Sequence, residues 1–291
     1  MQCTSCGAVL RQEDRFCEEC GQPVAHSDAS RSARTERSSD SMERSADSVD
    51  RSHDAIELSR REFKRLLSRV HAAMGPADRP ALNGMRFIVD AHVLTLVATD
   101  GHRLAMATNR VDGGPTGRCE LTVARATIEQ LIGFLNEDDE PAIVELSTGH
   151  ATFRLGERTL ASHAVGEPFP DYMRLFPSGQ ASVLRVDREH LQSALQRVAP
   201  DTGALPRTLW TLGAGRLSLE GSDGEQTQES LHVAYAGPPL RIGLNALYVI
   251  EALRSLDSHE VEIAIVGPLS PIVLRMPARE DVKWVLMPMK I

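Results

Sequence analysis

The feature that most constrains this chain is an internal repeat, whose two copies begin near residues 56 and 184. The segment IELSRREF at 56–63 corresponds to LRVDREHL at 184–191, and LTLVATDG at 94–101 corresponds to LSLEGSDG at 217–224. The first pair predicts a strand that leads through an N-cap residue, Ser59 or Asp187, into a helix. The second pair predicts a strand that runs into an Asp-Gly turn. Chance similarity of two α+β domains is the alternative, but the matched order and spacing favour a repeat.

A second helix is predicted in each copy, with apolar residues at helical spacing over 128–135 and 249–256. Each copy therefore contains two successive strand–helix–strands units. The predicted fold class is α+β, with two tandem domains at 55–180 and 181–291, each made of two β-α-β-β-β half-repeats. Ser59 and Glu62 also form the pattern of a capping box at the start of the first helix.

The first 25 residues contain two identical knuckles, Cys3-x-x-Cys6-Gly7 and Cys17-x-x-Cys20-Gly21. Four thiolates satisfy tetrahedral Zn²⁺ with no open position, so these cysteines predict a structural zinc site in a zinc-ribbon-like module over 1–25. Two disulfides or unliganded thiols are the alternative. Residues 26–54 are rich in Ser, Arg, Asp and Glu and poor in large apolar side chains, which predicts a disordered linker.

The bulk properties indicate a globular chain of 291 residues with a formal net charge of -8. This charge argues against nucleic-acid binding by bulk attraction, although one local basic face is compatible with it. The sequence has no signal peptide and no apolar run long enough to cross a membrane, so we expect a cytoplasmic location without membrane partners. In that reducing compartment, paired cysteines more often hold metal than form disulfides. The lone Cys119 is interpreted as a small packing residue.

Four segments carry a family resemblance: LNGM at 82–85, VATDGHRLA at 97–105, FPDY at 169–172 and VLMPMKI at 285–291. They closely resemble the beta subunit of bacterial DNA polymerase III, the beta sliding clamp. The similarity covers about residues 55 to 291 and corresponds to the middle and C-terminal domains of that family. It implies a DNA-clamp (processivity) fold for both domains, with the zinc-ribbon-like module and the linker in place of the first domain.

The missing first domain bears on assembly, because the family closes a ring of six domains from two chains of three. The resemblance implies a homo-oligomer, a trimeric head-to-tail ring, if the domain at 55–180 offers a substitute face. The sequence does not show such a face.

The helix after Ser59 carries basic residues on one side and apolar residues on the other. In the resembled family, helices line the hole and contact the phosphate backbone without reading sequence. The resemblance therefore implies that duplex DNA is contacted by Arg60, Arg61, Lys64, Arg65 and Arg69. A solvated charged face is the alternative, and the acidic run at 137–140 weakens the prediction of DNA contact.

The resemblance also implies a hydrophobic cleft between the domains that binds short peptide motifs of DNA polymerase, clamp loader or repair proteins. Its residues would be Leu82, Thr99, Gly101, His102, Arg103, Leu104, Pro170, Arg174, Leu175, Asn245, Tyr248, Leu269, Pro271, Met287, Pro288, Met289, Lys290 and Ile291. Flexible, polarizable Met side chains suit a surface that accepts related peptides. The alternative is that Met287 and Met289 complete a final core strand. Pro271 replaces a small polar residue of the family, so the binding preference is expected to differ.

No Walker-type loop, nucleophile elbow or open metal motif occurs, so we expect no enzymatic activity. Two functions remain. The first is a clamp-like replication or repair factor that binds peptide motifs and encircles duplex DNA as a polymerase processivity factor. The second is a non-encircling, clamp-derived adaptor or decoy that binds the same peptides and docks through the zinc module.

Overall fold

The computed structural model describes residues 55–115, 117–199, 206–221 and 227–291. The chain divides into two units, Met1–Val49 and Asp50–Ile291, and every described residue belongs to the second. The predicted zinc module, the linker and the second Asp-Gly turn at 223–224 lie outside the described residues.

The described residues form eighteen strands and four helices, in four successive half-repeats. The first repeat contains β1 (Ala55–Ser59), α1 (Arg60–His71), β2 (Gly84–Asp90), β3 (Val93–Thr99), β4 (Arg103–Arg110), β5 (Asp112–Gly113), β6 (Cys119–Ala124), α2 (Arg125–Phe134), β7 (Pro141–Ser147), β8 (His150–Leu155) and β9 (Arg158–His163). The second repeat contains β10 (Ser182–Asp187), α3 (Arg188–Val198), β11 (Arg207–Gly213), β12 (Arg216–Glu220), β13 (Gln228–His232), β14 (Ala234–Tyr235), β15 (Leu240–Asn245), α4 (Ala246–Ser255), β16 (Glu260–Ile265), β17 (Ile272–Arg275) and β18 (Val282–Leu286).

The order strand–helix–three strands occurs four times, which confirms the predicted α+β fold of β-α-β-β-β half-repeats. The two-residue strands β5 and β14 are additions that the sequence did not indicate. Residues 164–181, which we call the connector, join the repeats and include a 3₁₀ helix, Tyr172–Leu175.

The equivalent helices α1 and α3 begin at the predicted residues. The Ser59 hydroxyl accepts a hydrogen bond from the Glu62 backbone N–H at 3.2 Å, and the Asp187 carboxylate accepts one from the His190 N–H at 2.8 Å. Each bond satisfies an N–H that the first turn of a helix leaves unpaired. Within the capping-box pair, the Glu62 carboxylate accepts from the Ser59 hydroxyl.

Each repeat is held together by exchange of strands between its half-repeats. In the first repeat, β1 pairs with β7 of the second half, and β6 pairs with β2 of the first half. In the second repeat, β10 pairs with β16 and β15 pairs with β11 in the same way. All these pairs are antiparallel, so each half-repeat is completed by the first strand of the other.

The two repeats meet in a single sheet. Strand β4 pairs with β18 over five residue pairs, from Val282 opposite Ala107 to Leu286 opposite Arg103. The result is a nine-stranded sheet in the order β14-β10-β16-β17-β18-β4-β3-β2-β6. Two further sheets have the orders β5-β1-β7-β8-β9 and β13-β12-β11-β15.

The core lies between helices and sheets and is mostly aliphatic, with a few large aromatic side chains. Phe63 of α1, Phe87 of β2 and Phe153 of β8 are fully buried, with ring centres 5.8 to 6.4 Å apart. In the second repeat, the largest buried side chains are Trp210 and Trp284. Burial of such residues supplies most of the favourable free energy of folding.

Candidate functional site

The hairpin between β3 and β4 is a rigid turn built by its own polar side chains. Gly101 has a φ of 91°, a left-handed conformation that glycine adopts readily. The Asp100 carboxylate accepts from the His102 N–H at 2.8 Å and from the Arg103 N–H at 3.0 Å. The Thr99 hydroxyl donates to the Arg103 carbonyl at 2.6 Å. The turn therefore holds the His102 side chain out in solvent.

Arg103 connects this turn to the second repeat. Its guanidinium donates to Asp100 at 3.0 Å, to the Ala72 carbonyl after α1, and to the Glu251 carboxylate on α4. It also stacks over the Tyr248 ring, 4.2 Å from the ring centre. Burial lowers the pKa of Arg103 and raises the pKa of the Tyr248 hydroxyl. Because its donors are used within the protein, Arg103 positions the site rather than offering a free cation.

The last five residues leave the sheet after β18 ends at Leu286. The Met287 N–H donates to the His102 carbonyl at 2.9 Å, and the Met289 N–H donates to the Gly243 carbonyl at 2.8 Å. Arg207 donates to the Lys290 carbonyl at 3.2 Å. Met287 and Met289 stay half-buried, so they do not complete a core strand. Segment 287–291 instead lies between the β3–β4 hairpin and β15 with its side chains partly in solvent.

A small apolar cluster lies under the connector, separate from the main core. Its buried residues include Leu104 of β4 and Val285 of β18, which face each other across the seam between the repeats. Phe169, Tyr172, Leu175 and Phe176 of the connector pack on it, together with Met106 and Val273. Backbone hydrogen bonding closes the seam itself.

The eighteen residues predicted for peptide binding divide into three groups by exposure. Thr99, Leu104 and Asn245 are buried, and their contact with a peptide stays a prediction. The half-buried residues are Leu82, Arg103, Leu175, Tyr248, Pro271, Met287, Pro288 and Met289. The exposed residues are Gly101, His102, Pro170, Arg174, Leu269, Lys290 and Ile291. Leu269 is 80% exposed and Ile291 is 66% exposed.

Some of the predicted residues are linked by direct contacts, and others, such as Arg174, contact only residues outside the predicted set. The His102 carbonyl binds the hairpin to segment 287–291, and Arg103 binds the hairpin to Tyr248 at the start of α4. The Asn245 side chain caps α4 by accepting from the Leu247 N–H at 3.0 Å. Arg174 forms an exposed ion pair with Asp171 at 2.7 Å. Sequence reasoning missed Glu251, Gly243 and Arg207, because their partners are distant in the sequence and only the fold brings them together.

The five basic residues predicted to contact DNA lie on α1, and each is paired with a carboxylate. Residues 137–139, which we call the acidic loop, follow α2 and pack against the start of α1. The distances are 3.6 Å for Arg60 with Asp138, 3.2 Å for Arg61 with Asp139 and 3.7 Å for Lys64 with Glu137. Arg65 pairs with Asp257. The basic face of α1 is thus largely neutralised by the chain's own acids.

Arg69 does not lie on an exposed cationic face, as the helical spacing predicted. Its side chain is 7% exposed and lies 3.0 Å from Asp257 and 3.2 Å from Asp281, both in the second repeat. Arg279 adds pairs to the same two carboxylates, at 3.2 and 2.7 Å. Burial and the neighbouring Arg65 lower the pKa of Arg69. This residue joins α1 to the second repeat through these ion pairs, and its contact with DNA stays a prediction.

The described residues contain no group of three or more potential metal ligands. The four predicted zinc ligands, Cys3, Cys6, Cys17 and Cys20, lie outside the described residues. The donor set itself fits the metal, because four thiolates in two Cys-x-x-Cys pairs make a closed tetrahedral site. No helix in the described part of the chain is long and apolar enough to cross a membrane.

Comparison with known proteins matches three family models to successive parts of the chain. Residues 2–24 match the zinc-ribbon domain, residues 57–171 match the central domain of the DNA polymerase III beta subunit, and residues 173–290 match its C-terminal domain. The beta sliding clamp of Pseudomonas putida is 31% identical over 80% of this chain, which spans 65% of that relative's length.

Solved structures agree with these matches. The crystal structure of the DNA polymerase sliding clamp from Pseudomonas aeruginosa with ligand has a TM-score of 0.77 at 30% identity, covering 82% of this chain and 66% of that one. The C. crescentus beta sliding clamp, with polyethylene glycol bound to a region described as tethering beta motifs, has a TM-score of 0.77 at 29% identity, covering 81% and 65% of the two chains. The chain belongs to the bacterial DNA polymerase III beta subunit family, the beta sliding clamps, and carries its central and C-terminal domains behind a zinc-ribbon sequence.

Proposed function

We propose that this chain is a non-enzymatic, clamp-like factor of DNA replication or repair in the bacterial cytoplasm. It binds short peptide motifs of DNA polymerase, clamp loader or repair proteins on the surface beside segment 287–291. The observation that carries the proposal is the position of this segment. Two backbone hydrogen bonds, from Met287 to His102 and from Met289 to Gly243, fix it while its side chains stay accessible.

The chemistry of this surface suits an apolar peptide. Met287, Pro288 and Met289 offer half-buried apolar atoms, and Leu269 and Ile291 add exposed ones. Apolar anchors of this kind supply most of the free energy of binding when a partner covers them. The flexible Met side chains can adjust to related motifs.

Two of the relatives were solved with bound molecules. The P. aeruginosa clamp was solved with a ligand, and the C. crescentus clamp holds polyethylene glycol at a region described as tethering beta motifs. This chain retains the two domains that both comparisons cover. We therefore assign peptide binding to it as the function that its geometry supports best.

Peptide binding is tested by fluorescence anisotropy with a labelled clamp-interacting peptide of a bacterial DNA polymerase. Truncation of both anchors, Met287→Ala with Met289→Ala, is expected to weaken binding by at least about 1 kcal/mol, or roughly fivefold. The control is Val93→Ala, which truncates an exposed apolar residue at the start of β3, the end of this strand that is remote from the β3–β4 turn. Unchanged affinity in the double variant would remove the assignment.

A closed ring around duplex DNA is the second candidate function, with the chain acting as a polymerase processivity factor. Three copies would supply the six domains of such a ring. The strands β9 and β13, which are edges of the five-stranded and the four-stranded sheet, favour it. The neutralised face of α1 favours the alternative, an adaptor or decoy that does not encircle DNA. Retention on nicked circular DNA, lost on linearisation, supports the ring, and equal binding to both forms supports the adaptor.

We further propose that Cys3, Cys6, Cys17 and Cys20 bind one structural Zn²⁺. The match of residues 2–24 to the zinc-ribbon family and the two Cys-x-x-Cys pairs support this site. A module this small has little core, so metal binding would supply its folding free energy. The zinc module would then serve as a docking element.

A further inference from the structure

The seam between the repeats shows how two domains of this fold associate. Strand β4 is the last long strand of the first half-repeat of the first domain, and β18 is the last strand of the second half-repeat of the second domain. These two strands pair at the seam. The seam places Val282 opposite Ala107 and Trp284 opposite Ala105. Beside it, α1 reaches the second repeat through the ion pair of Arg69 with Asp257 at 3.0 Å.

Each domain has a second strand of the type that the seam uses, and among the described residues these strands are unpaired on one side. The counterpart of β4 is β13, at one edge of the four-stranded sheet, and the counterpart of β18 is β9, at one edge of the five-stranded sheet. Neither strand contains proline or lysine, the residues that often protect sheet edges from pairing. The chain thus presents one edge of each type, as a head-to-tail contact requires.

The position that corresponds to Ala107 in β13 follows from the strand pairings. Ala107 pairs with Leu96 in β3. Glu229 pairs with Leu219 in β12, and Leu96 and Leu219 are equivalent in the internal repeat. Ala107 and Glu229 therefore hold the same position in their sheets.

The same reasoning aligns β9 with β18. From Ile56, successive pairing leads through β7 and β8 to Leu160. From the equivalent Leu184, it leads through β16 and β17 to Trp284. Leu160 and Trp284 therefore hold the same position, and Arg158, two residues earlier, corresponds to Val282.

We propose that a second copy of this chain docks on this one, with β9 of one copy paired to β13 of the next in the register of the internal seam. Because Val282 lies opposite Ala107 in that seam, the contact between copies places Arg158 opposite Glu229. Opposite charges facing each other across antiparallel strands stabilise the pair. The register thus brings together a cation and an anion, whereas the corresponding residues of the internal seam, Val282 and Ala107, are uncharged.

The helices beside these edges carry a second complementary pair. Arg197 of α3 is the repeat equivalent of Arg69, and it is exposed and bound to Glu229 at 2.6 Å. The loop after α2 is equivalent to the loop that holds Asp257, and its Glu137 is 78% exposed. In the docked pair, Arg197 and Glu137 take the roles of Arg69 and Asp257. Exposed ion pairs are weak, so both can change partners on docking.

An exposed aromatic residue lies beside the same edge. Phe134, the last residue of α2, is 41% exposed, and Arg158 lies over its ring at 5.2 Å. A second copy on β9 would cover this ring and the half-buried Leu160. The edge therefore combines free backbone groups, a complementary charge and apolar area.

The inference rests on the ring form of the proposed function and is independent of peptide binding. It is tested by sedimentation equilibrium of the full chain over a range of concentrations. We expect self-association towards the mass of three chains. Arg158→Glu should shift the protein to monomer, and so should Glu229→Arg. The double variant, Arg158→Glu with Glu229→Arg, should restore association. Arg241→Glu on β15, the opposite edge of the β13 sheet, is the matched control.

Two results would overturn the contact. One is a wild-type chain that stays monomeric at its solubility limit. The other is association that neither single reversal weakens. Thermal unfolding monitored by circular dichroism shows whether each variant is folded. If Arg158→Glu does not fold, Glu229→Arg tests the same contact. Anisotropy with the labelled peptide on the same samples separates the two proposals, because a monomeric variant that binds peptide leaves the peptide site intact.

Discussion

The guanidinium of Arg103 lies 4.2 Å from the centre of the Tyr248 ring, and these two residues join the β3–β4 hairpin of the first repeat to α4 of the second. Asp100 and Glu251 hold the same guanidinium from either side. The surface that we propose for peptide binding therefore rests on a contact between domains. Anything that loosens this contact changes both stability and the position of His102.

Removal of the Arg103 charge tests this contact. Arg103→Met keeps the length of the side chain but leaves Asp100 and Glu251 without their shared partner. Because the Arg103 side chain is only 10% exposed, we expect a loss of about 3 kcal/mol in the free energy of unfolding by urea. Arg174→Met is the control, since its 84% exposed side chain should cost less than about 0.5 kcal/mol. Equal losses in the two variants would contradict the role of Arg103.

Neutralisation of the acidic loop tests whether α1 can meet DNA. Glu137→Gln, Asp138→Asn and Asp139→Asn together remove the partners of Arg60, Arg61 and Lys64. If α1 faces duplex DNA, this variant should bind it more tightly and with a salt dependence steeper by about one to three counterions. Charge reversal at Arg61 and Arg65 should have the opposite effect. No change in either variant would leave α1 as a solvated, internally paired face.

Asp281 predicts a pH dependence of stability. Burial raises the pKa of this carboxyl, but the hydrogen bond and charge of Arg279 and the charge of Arg69 outweigh burial and lower it below the usual value. A carboxyl whose pKa is lower in the folded state stabilises the protein above its unfolded pKa, and loses this contribution as the pH falls through the folded pKa.

Asp281→Asn should therefore lower the free energy of unfolding at pH 7 by about 1 kcal/mol. The difference between wild type and variant should begin to narrow as the pH falls below about 3.9, the ordinary pKa of an aspartate, and should be lost only below the lowered pKa of Asp281 in the folded state. Urea titrations at several pH values measure this difference. A constant difference across that range would show that the ionised carboxylate is not what stabilises the contact.

Zinc content tests the N-terminal module. Purified protein should contain about one zinc ion per chain by atomic emission, and Cys3→Ser or Cys17→Ser should lower that content. Cys119→Ser, outside the proposed ligand set, should leave the zinc content unchanged. Stoichiometric zinc in both knuckle variants would exclude the four-cysteine site.

Local signals explain how much of the fold the sequence could predict. The caps Ser59 and Asp187 and the buried positions of α1 and α3 depend on neighbouring residues, so the strand–helix starts were predictable. The pairing of β4 with β18 was not, because these strands lie far apart in the chain and each only shows an apolar pattern. The short strands β5 and β14 depend on the same kind of long-range pairing.

The candidate site likewise combines features that the sequence could predict with features that depend on long-range contacts. The resemblance supplied the residues around His102 and segment 287–291, but it did not distinguish the buried Thr99 and Asn245 from the accessible Met287. Helical spacing placed Arg69 with Arg61 and Arg65 on one side of α1. It could not show that Asp257 and Asp281 of the second repeat would bury Arg69, because spacing describes a helix without its neighbours.

The nine-stranded sheet has a mechanical consequence. Its backbone hydrogen bonds cross from β4 to β18 without a break, so the two domains lack a hinge and cannot swing apart as linked bodies do. Separation would require the loss of a whole row of bonds at once. If copies of this chain form the proposed ring, its opening would separate one chain from the next and leave each chain internally intact.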